Sequence, residues 1–185
     1  MGALEWLAAG LGVVNVLLVV RRSVWNFPFG VAMVLLYGGI FYEAKLYSDA
    51  LLQLFFLVVQ FYGWWNWMAA RHRVGDVRVL LLSGRDRFAW VAACAIATGI
   101  WGWIMHRFTD AAMPWWDAGV AMTSVAAQIL LSRRYFENWI LWIAVDVAAI
   151  GLYASRALHL TAALYLVFLG MAVWGLLSWR RARTA

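Results

Sequence analysis

One acidic residue lies deep inside an apolar stretch of this sequence, NWILWIAVDVAAIGLY, at 138–153. Asn138, Trp142 and Asp146 follow one another at intervals of four residues, with Trp139 close by, so a helix would align them on one face. A carboxylate at the centre of a lipid-spanning helix costs about 2.5–3.5 kcal/mol on insertion scales. Indole faces attract cations. We therefore expect Asp146 to face a water-accessible substrate cavity.

Polar and aromatic side chains with helical spacing recur in two other stretches. The spacing places each set on one face: Asp49, Gln53, Gln60, Trp64 and Trp67 in the first, and Asp117, Ser124 and Gln128 in the second. Depth favours substrate contact for Gln53, Gln60 and Asp146, because buried polar groups in lipid are expensive. Ser124 and Gln128 fit either substrate contact or a hydrogen bond between helices. Residues near the stretch ends fit caps and interfacial anchors.

A carboxylate, side-chain amides and aromatic planes together suit a particular type of ligand. Aromatic rings stack on a flat heterocycle and attract positive charge, while amides and an acid hydrogen-bond hydroxyl groups. A compact, cationic, ring-bearing and hydroxylated solute fits this set. An aliphatic amino acid or an anion fits less well.

The composition predicts a polytopic membrane protein. Of 185 residues, 66% are hydrophobic and 13% are charged, against about 25% charged in an average chain. Lone Cys94 offers no disulfide framework, and the histidines are scattered, so no metal site or bound cofactor is expected. Asp146 has no second deep acid and Ser124 no evident base. We therefore expect a protein that is not an enzyme.

Seven stretches are long and apolar enough to be candidate transmembrane helices. They cover 3–20, 25–43, 50–69, 88–106, 115–131, 138–155 and 160–178. The longest connection, 70–87, contains a capping box, Ser83 with Asp86, that opens the fourth span. Its arginines are expected to form a solvated face, in contact with anionic lipid headgroups.

The basic residues alternate between the two sides of this arrangement. Twelve of the 15 fall on one side: Arg21, Arg22, Arg71, Arg73, Arg78, Arg85, Arg87, Arg133, Arg134, Arg180, Arg181 and Arg183. The positive-inside rule then places the N-terminus outside and the C-terminus in the cytoplasm. Topology also explains the net charge of +6, so nucleic acid is not an expected partner.

The sequence contains an internal repeat. Residues 5–67 align with 117–179 without a gap, and the alignment pairs Arg21-Arg22 with Arg133-Arg134, Asn26 with Asn138, Gly63 with Gly175, and Trp67 with Trp179. Each copy holds three spans, and the span between them makes the copies parallel. Parallel repeats are typical of transporters with a midplane site between the halves. We expect an all-α membrane protein of 3+1+3 helices, with a first bundle at 1–69, a loop and linker helix at 70–110, and a second bundle at 111–185.

The Asn-Trp-x-x-Trp-x-x-x-Asp pattern at 138–146 and the Tyr165…Trp174-Gly175…Trp179 pattern resemble the PnuC family of bacterial nicotinamide riboside transporters. WNFPFG at 25–30 and FYGWWNW at 61–67 add to a resemblance that runs over about residues 4–181. The resemblance implies a SWEET-like fold in the cell (inner) membrane. It also implies facilitated diffusion, followed by trapping of the vitamin precursor through phosphorylation by a cytoplasmic kinase.

The resemblance also implies a set of residues near the substrate. With the deep amides Gln53 and Gln128 added, the predicted binding residues are Gln53, Gln60, Trp64, Gln128, Asn138, Trp139, Trp142, Asp146 and Tyr165. The rings would form walls, the amides would bind hydroxyls, and Asp146 would pair with the sugar or the cation.

Several alternatives stay open. Thiamine matches the chemistry of the site nearly as well as nicotinamide riboside, riboflavin matches less well, and a SWEET-type sugar carrier or a structural subunit of a larger complex are further alternatives. Nothing in the sequence indicates ion coupling, so a uniporter is the simplest interpretation, with Asp146 as a proton relay the alternative. A homo-oligomer is neither predicted nor excluded.

Overall fold

The computed structural model describes residues 3–43, 47–74, 77–109, 113–155 and 159–184. They form seven helices: α1 (Ala3–Val20), α2 (Asn26–Glu43), α3 (Tyr47–Val74), α4 (Gly84–Phe108), α5 (Pro114–Ser132), α6 (Asn138–Ser155) and α7 (His159–Thr184). Apart from one β-bridge between Leu80 and Tyr135, these described residues contain no strand. The all-helical prediction is confirmed, with one helix for each predicted span.

Three helices are longer than the sequence predicted. Helices α3 and α7 continue to Val74 and Thr184, because Arg and Ala favour helix and carry it beyond the apolar stretch. Helix α4 begins at Gly84, four residues before the predicted span, where the predicted capping box is present. The Ser83 hydroxyl accepts from the Asp86 backbone N–H at 3.1 Å and donates to its carboxylate at 2.7 Å.

Within the described part of the chain, two helical stretches are each long and apolar enough to cross a membrane by themselves. They are Gly84–Phe108 and Ala162–Ala182. Shorter apolar helices cover Trp6–Val20 and Asn138–Leu152. A helix of 18 residues, as in α1, α2 and α6, spans about 27 Å, close to the thickness of a hydrocarbon core.

The helices pack as two similar groups. In the first, α2 packs against α1 and α3, and in the second, α6 packs against α5 and α7. The groups meet through two contacts, α1 with α7 and α3 with α5. Among the described helices, α4 packs against α5 alone.

The turn between α1 and α2 has the same structure as the turn between α5 and α6. The N–H of Ser23 donates to Leu18 O at 2.9 Å, and the N–H of Tyr135, its repeat equivalent, donates to Leu130 O at 2.9 Å. Such a bond from the second residue beyond the C-cap marks a Schellman motif. The repeat found in the sequence is therefore a repeat of local structure.

An arginine occupies the left-handed position of each Schellman turn. Arg22 has φ 54° and Arg134 has φ 66°. Glycine is the usual residue there, because a side chain makes this conformation less favourable by about 1 kcal/mol. The Arg22 side chain forms a tertiary hydrogen bond, in which Nη1 donates to Val77 O at 3.2 Å. Burial lowers the pKa of the Arg134 guanidinium, which nevertheless stays charged because arginine is so strongly basic.

The segment 77–82, between α3 and α4, lies against the second turn. The Leu80 N–H donates to Arg134 O at 2.9 Å, and the Phe136 N–H donates to Leu80 O at 2.8 Å. The sequence predicted that the arginines of this connection form a solvated face. Arg78 and Arg85 are exposed as predicted, whereas Arg87 also forms an ion pair. Arg87 pairs with the Glu137 carboxylate at 2.8 Å, because the docked segment brings the start of α4 to the start of α6.

Candidate functional site

Four buried aromatic side chains form a layer at one end of the molecule. The layer comprises Phe27, Trp67, Trp139 and Trp179, each at most 2% exposed. Phe27 meets Trp67 edge to face at 5.3 Å between ring centroids, and Trp139 meets Trp179 edge to face at 5.6 Å. Trp67 and Trp179 join the two pairs at 5.9 Å. This aromatic layer therefore has the internal symmetry of the repeat.

Two equivalent hydrogen bonds connect the helix groups at the aromatic layer. Trp67 Nε1 in α3 donates to Leu131 O in α5 at 3.2 Å. Trp179 Nε1 in α7 donates to Val19 O in α1 at 3.2 Å. The C-terminal ends of all four helices therefore meet at this end, together with the first turns of α2 and α6.

Two glycines allow the rings of this layer to approach the backbone. A Cβ atom on Gly175 would lie 2.5–2.6 Å from three ring atoms of Trp139. A Cβ on Gly63, its repeat equivalent, would lie 2.6 Å from a ring atom of Phe27. Both distances are far below ordinary contact, so the layer depends on these glycines.

Polar side chains are buried one to two helical turns away from the aromatic layer. This polar layer consists of Asn15, Gln60, Ser124, Gln128 and Asp146, each no more than 8% exposed. Gln60, Ser124 and Asp146 are each seven residues from Trp67, Leu131 and Trp139 respectively, which is about 10 Å at the helical rise. Asn15 and Gln128 are three or four residues away from the layer, or about 5 Å. Four helices thus contribute polar groups at matching depths.

Several atoms of this region lack hydrogen-bond partners among the described residues. They are Oε1 of Gln60, Nε2 of Gln128, Oδ1 of Asn26 and of its equivalent Asn138, and Nε1 of Trp139. The Gln60 amide also lies where a Cβ on Gly30 would be, beside Asn15 Nδ2. Unpaired buried polar atoms cost free energy, so they are expected to bind water or solute. Gln60 and Gln128 offer one acceptor and one donor.

Two of the predicted aromatic residues lie between the layers. Trp64 and Trp142 each lie three residues from Trp67 and Trp139, about 5 Å along the helix, and both pack against the buried core that contains the aromatic layer. Each is only partly buried, so each ring keeps accessible surface beside the polar layer.

Gln53 and Tyr165 lie on the far side of the polar layer. Gln53 precedes Gln60 by seven residues, and Tyr165 is its repeat equivalent in α7. Both are therefore about 20 Å from the aromatic layer along their helices. Gln53 approaches Gly38 of α2, and the Tyr165 ring meets Phe168 edge to face at 6.1 Å. The nine predicted residues thus extend over four levels, from the aromatic layer to the far side of the polar layer.

Asn138 has a structural role at the start of α6, in keeping with the capping role that its position near a stretch end suggested beside substrate contact. Its Nδ2 donates to Tyr135 O at 2.6 Å, and the equivalent Asn26 donates to Ser23 O at 2.6 Å. Sequence reasoning missed Asn15, whose Nδ2 donates to Asn26 O at 2.6 Å. An asparagine inside an apolar span is itself a signal that could have identified it.

An open cleft lies between the first half of α5 and the middle of α6. It has a volume of about 230 Å³. Trp115, Trp116 and Thr123 line it on α5, and Ala144, Val145 and Ala148 line it on α6. The residues adjacent to Ser124 and Asp146 therefore border open space that leads away from the aromatic layer.

The sequence matches the profile of the nicotinamide mononucleotide transporter family over residues 2–181. The chain belongs to this family. A nicotinamide riboside transporter PnuC of Neisseria mucosa is 31% identical, and the match covers 96% of this chain and 73% of that protein. The PnuC of Escherichia coli is 25% identical over 85% of this chain and 77% of its own length.

Other members of the family extend the comparison to a different vitamin and to a solved structure. The riboflavin/roseoflavin transporter RibM of Streptomyces davaonensis is 26% identical, with 91% of this chain and 80% of RibM covered. The crystal structure of the vitamin B3 transporter PnuC superimposes with a TM-score of 0.81 and 29% identity, covering 98% of this chain and 82% of that one. The transporter family and its helical fold are thus established for this chain.

Proposed function

We propose that this protein transports nicotinamide riboside across the cell (inner) membrane, by facilitated diffusion, and that the polar layer is its binding site. The observation that carries the proposal is the set of buried polar side chains, contributed by both helix groups and with amide atoms left unpaired, in a chain of this family. The similarity to transporters named for nicotinamide riboside supports the cargo.

The chemistry of the polar layer suits this solute. Nicotinamide riboside carries a flat pyridinium cation and a ribose. Asp146 can balance the positive charge, and the partly accessible rings of Trp64 and Trp142 can stack on the pyridinium. Gln60 Oε1 can accept from a ribose hydroxyl, and Gln128 Nε2 can donate to one. Of the remaining predicted residues, Trp139 and Asn138 would support the floor of the site, and Gln53 and Tyr165 would lie on the route towards it.

We further propose that the fold is a 3+1+3 arrangement of two parallel bundles. The first bundle corresponds to 1–69, the linker to 70–110 and the second bundle to 111–185. The matching turns and the matching Trp67 and Trp179 hydrogen bonds support a twofold relation along the membrane normal. The arginines at the C-terminal ends of α1, α3, α5 and α7, or just beyond them, all lie at the aromatic end, which we take as the cytoplasmic end.

In this orientation the aromatic layer closes the cytoplasmic end of the path. Substrate would reach the polar layer from outside, and release would require α3 to separate from α5 and α7 from α1. The two tryptophan hydrogen bonds cross these same helix contacts. Phosphorylation by a cytoplasmic kinase would then trap the cargo and maintain inward flux, without a coupling ion.

Riboflavin is a second candidate cargo, because RibM is about as similar to this chain as the PnuC proteins are. Thiamine remains an alternative on the chemistry of the site alone. The acid and the exposed indole surface favour a cationic ring over neutral riboflavin.

Calorimetry on the purified protein tests the cargo directly. Nicotinamide riboside, thiamine, riboflavin and a hexose are titrated in turn, and we expect saturable binding of nicotinamide riboside. Tight binding of riboflavin or thiamine instead would keep the fold and reassign the cargo. Proteoliposomes loaded with nicotinamide riboside test the mechanism, because a uniporter shows counterflow without a sodium or proton gradient. Uptake that requires either gradient would contradict facilitated diffusion.

A further inference from the structure

The segment 77–82 connects parts of the cytoplasmic end that the two bundles contribute separately. Its Val77 side chain is 2% exposed and belongs to the same buried core as the aromatic layer. Arg22, in the turn of the first bundle, donates to Val77 O. Leu80 exchanges backbone hydrogen bonds with Arg134 and Phe136, in the turn of the second bundle. This strap, as we call 77–82, therefore lies across both turns.

Glu137 fastens the strap to the second bundle. Its carboxylate, 7% exposed as a residue, accepts from the Leu82 N–H at 3.2 Å and from Arg87 Nε at 2.9 Å. Glu137 O also accepts from the N–H of Ile140 in the first turn of α6. One residue thus joins the end of the strap, the start of α4 and the start of α6, two residues before Trp139.

The position of Glu137 explains why a buried acid is retained there. A buried carboxylate is unfavourable unless it is paired and hydrogen-bonded, and here both the ion pair and the backbone donor come from the linker. The strap is joined to the second bundle by backbone hydrogen bonds and by the paired Glu137, whereas the Arg22 hydrogen bond comes from a long side chain of the first bundle. Val77 also packs in a core to which both bundles contribute. We expect the strap to stay with α5 and α6 when the bundles move apart.

We propose that the strap is a cytoplasmic gate element that covers the aromatic layer and is fastened to the second bundle by Glu137. Opening withdraws Val77 from the core and breaks the Arg22 contact, while the Leu80 and Glu137 contacts persist. The two halves of the repeat are therefore unequal at the cytoplasmic end, because one connection covers both turns. The gating role rests on the proposed transport function, whereas the fastening by Glu137 does not.

Cysteine labelling tests the fastening without any substrate. In a Cys94→Ala background, Val77→Cys probes the buried face of the strap and Leu81→Cys probes its exposed face. Inverted membrane vesicles are treated with a membrane-impermeant maleimide. We expect Val77→Cys to react at least about tenfold more slowly than Leu81→Cys, because reaction requires local opening. Equal rates would overturn the closed strap.

Substitutions at the pair then test the role of Glu137. Glu137→Ala removes both acceptor contacts, so it should raise the Val77→Cys labelling rate about tenfold or more. Glu137→Gln and Arg87→Gln remove only the ion pair, so each should raise this rate less. Arg85→Gln, at an exposed arginine near Arg87, is the matched control and should leave the rate unchanged. An unchanged rate in folded Glu137→Ala protein would overturn the fastening.

A saturating concentration of nicotinamide riboside tests the gating role. In protein that binds the riboside, we expect the Val77→Cys labelling rate to change at least severalfold, while Leu81→Cys stays constant. An unchanged rate would overturn the gate. If calorimetry shows no binding, the proposed cargo fails, and the substrate-free comparison of Glu137 variants still decides whether the strap is fastened. Should Val77→Cys fail to fold, Leu82→Cys at the other buried strap position replaces it.

Discussion

Replacement of Gly175 by alanine should disturb the aromatic layer and lower the stability of the protein. The new Cβ would lie 2.5–2.6 Å from Cη2, Cζ2 and Cε2 of Trp139. Carbon atoms in contact are ordinarily about 3.5–4.0 Å apart, so the shortfall is about 1 Å. Trp139 cannot retreat, because it is 2% exposed and meets Trp179 edge to face.

The expected loss is the difference between two effects. Overpacking of a tight core costs about 1–3 kcal/mol, while exchange of glycine for alanine in a helix contributes about 1 kcal/mol of stability. Because the shortfall is about 1 Å and Trp139 cannot retreat, we take the upper part of the overpacking range, about 2–3 kcal/mol, and expect a net destabilisation of about 1–2 kcal/mol. For a chain of this size, that lowers Tm by about 2–8 °C.

Gly151→Ala is the matched control for this prediction. Gly151 lies inside α6, and a Cβ there would meet no atom within 4 Å. Its Tm should rise by about 2–4 °C, because helix propensity alone changes. Both variants can be compared by intrinsic tryptophan fluorescence during heating in detergent. Equal melting temperatures for the two variants would refute the packing we describe at Trp139.

Three further predictions concern single side chains. Asp146→Asn should weaken binding of nicotinamide riboside about tenfold or more in calorimetry with Tm unchanged, and normal affinity would remove Asp146 from the site. Trp179→Phe keeps a ring but leaves Val19 O without its donor, so Tm should fall by about 2–4 °C; no change would mean that the bond between the bundles contributes nothing. Asn26→Ala and Asn138→Ala each remove one hydrogen bond of 2.6 Å from equivalent turns, and thermal melts should show losses of about 1 kcal/mol that agree within a factor of two. Clearly unequal losses would contradict the equivalence of the turns.

The helices could be predicted because their signals are local. Apolar length located all seven, and the predicted Ser83 capping box marks the observed start of α4. The ends of α3 and α7 were missed because hydropathy reports the membrane-facing part of a helix and not its full hydrogen-bonded length. Arginine is compatible with helix beyond that part.

The strap and the pairing of Arg87 could not be predicted, because they depend on tertiary contacts. Glu137 and Arg87 are far apart in the sequence, and nothing local distinguishes Arg87 from exposed Arg85. For Asn138 the sequence supported two roles, a cap at a stretch end and a place on the face shared with Trp142 and Asp146. The hydrogen bond to Tyr135 O supports the first role, and the matching Asn26 was the signal that both asparagines hold turns.

The polar layer was predicted in part, and the residue that was not predicted is Asn15. Gln60, Gln128 and Asp146 were identified from depth and spacing, and the structure places them at neighbouring levels on three helices. Asn15 was missed although it is a polar residue within an apolar helix. Helical spacing identifies polar residues that share a face with others on the same helix, and Asn15 has no such neighbour in its stretch. Its described partner, Asn26 O, belongs to the next helix.

The repeat is preserved in the aromatic layer, which we propose closes the path, and is lost in the polar layer, which we propose binds the solute. At the aromatic layer the two halves share turns, tryptophans and hydrogen bonds. In the polar layer they exchange large and small residues, since Gly30 and Gln60 of the first half correspond to Trp142 and Ala172 of the second. The deep acid also has no counterpart, because Val34 occupies the position equivalent to Asp146.

A physical reason for this pattern lies in the shapes involved. Two similar bundles can pack against each other through equivalent contacts. The same residue types at equivalent positions of the aromatic layer therefore serve both bundles. A solute with a cationic ring at one end and hydroxyl groups at the other has no such symmetry, and a twofold-symmetric site would match only half of it. The amides of Asn15 and Gln60 in the first half, and the acid and indole of Asp146 and Trp142 in the second, offer the two unlike surfaces that such a solute requires.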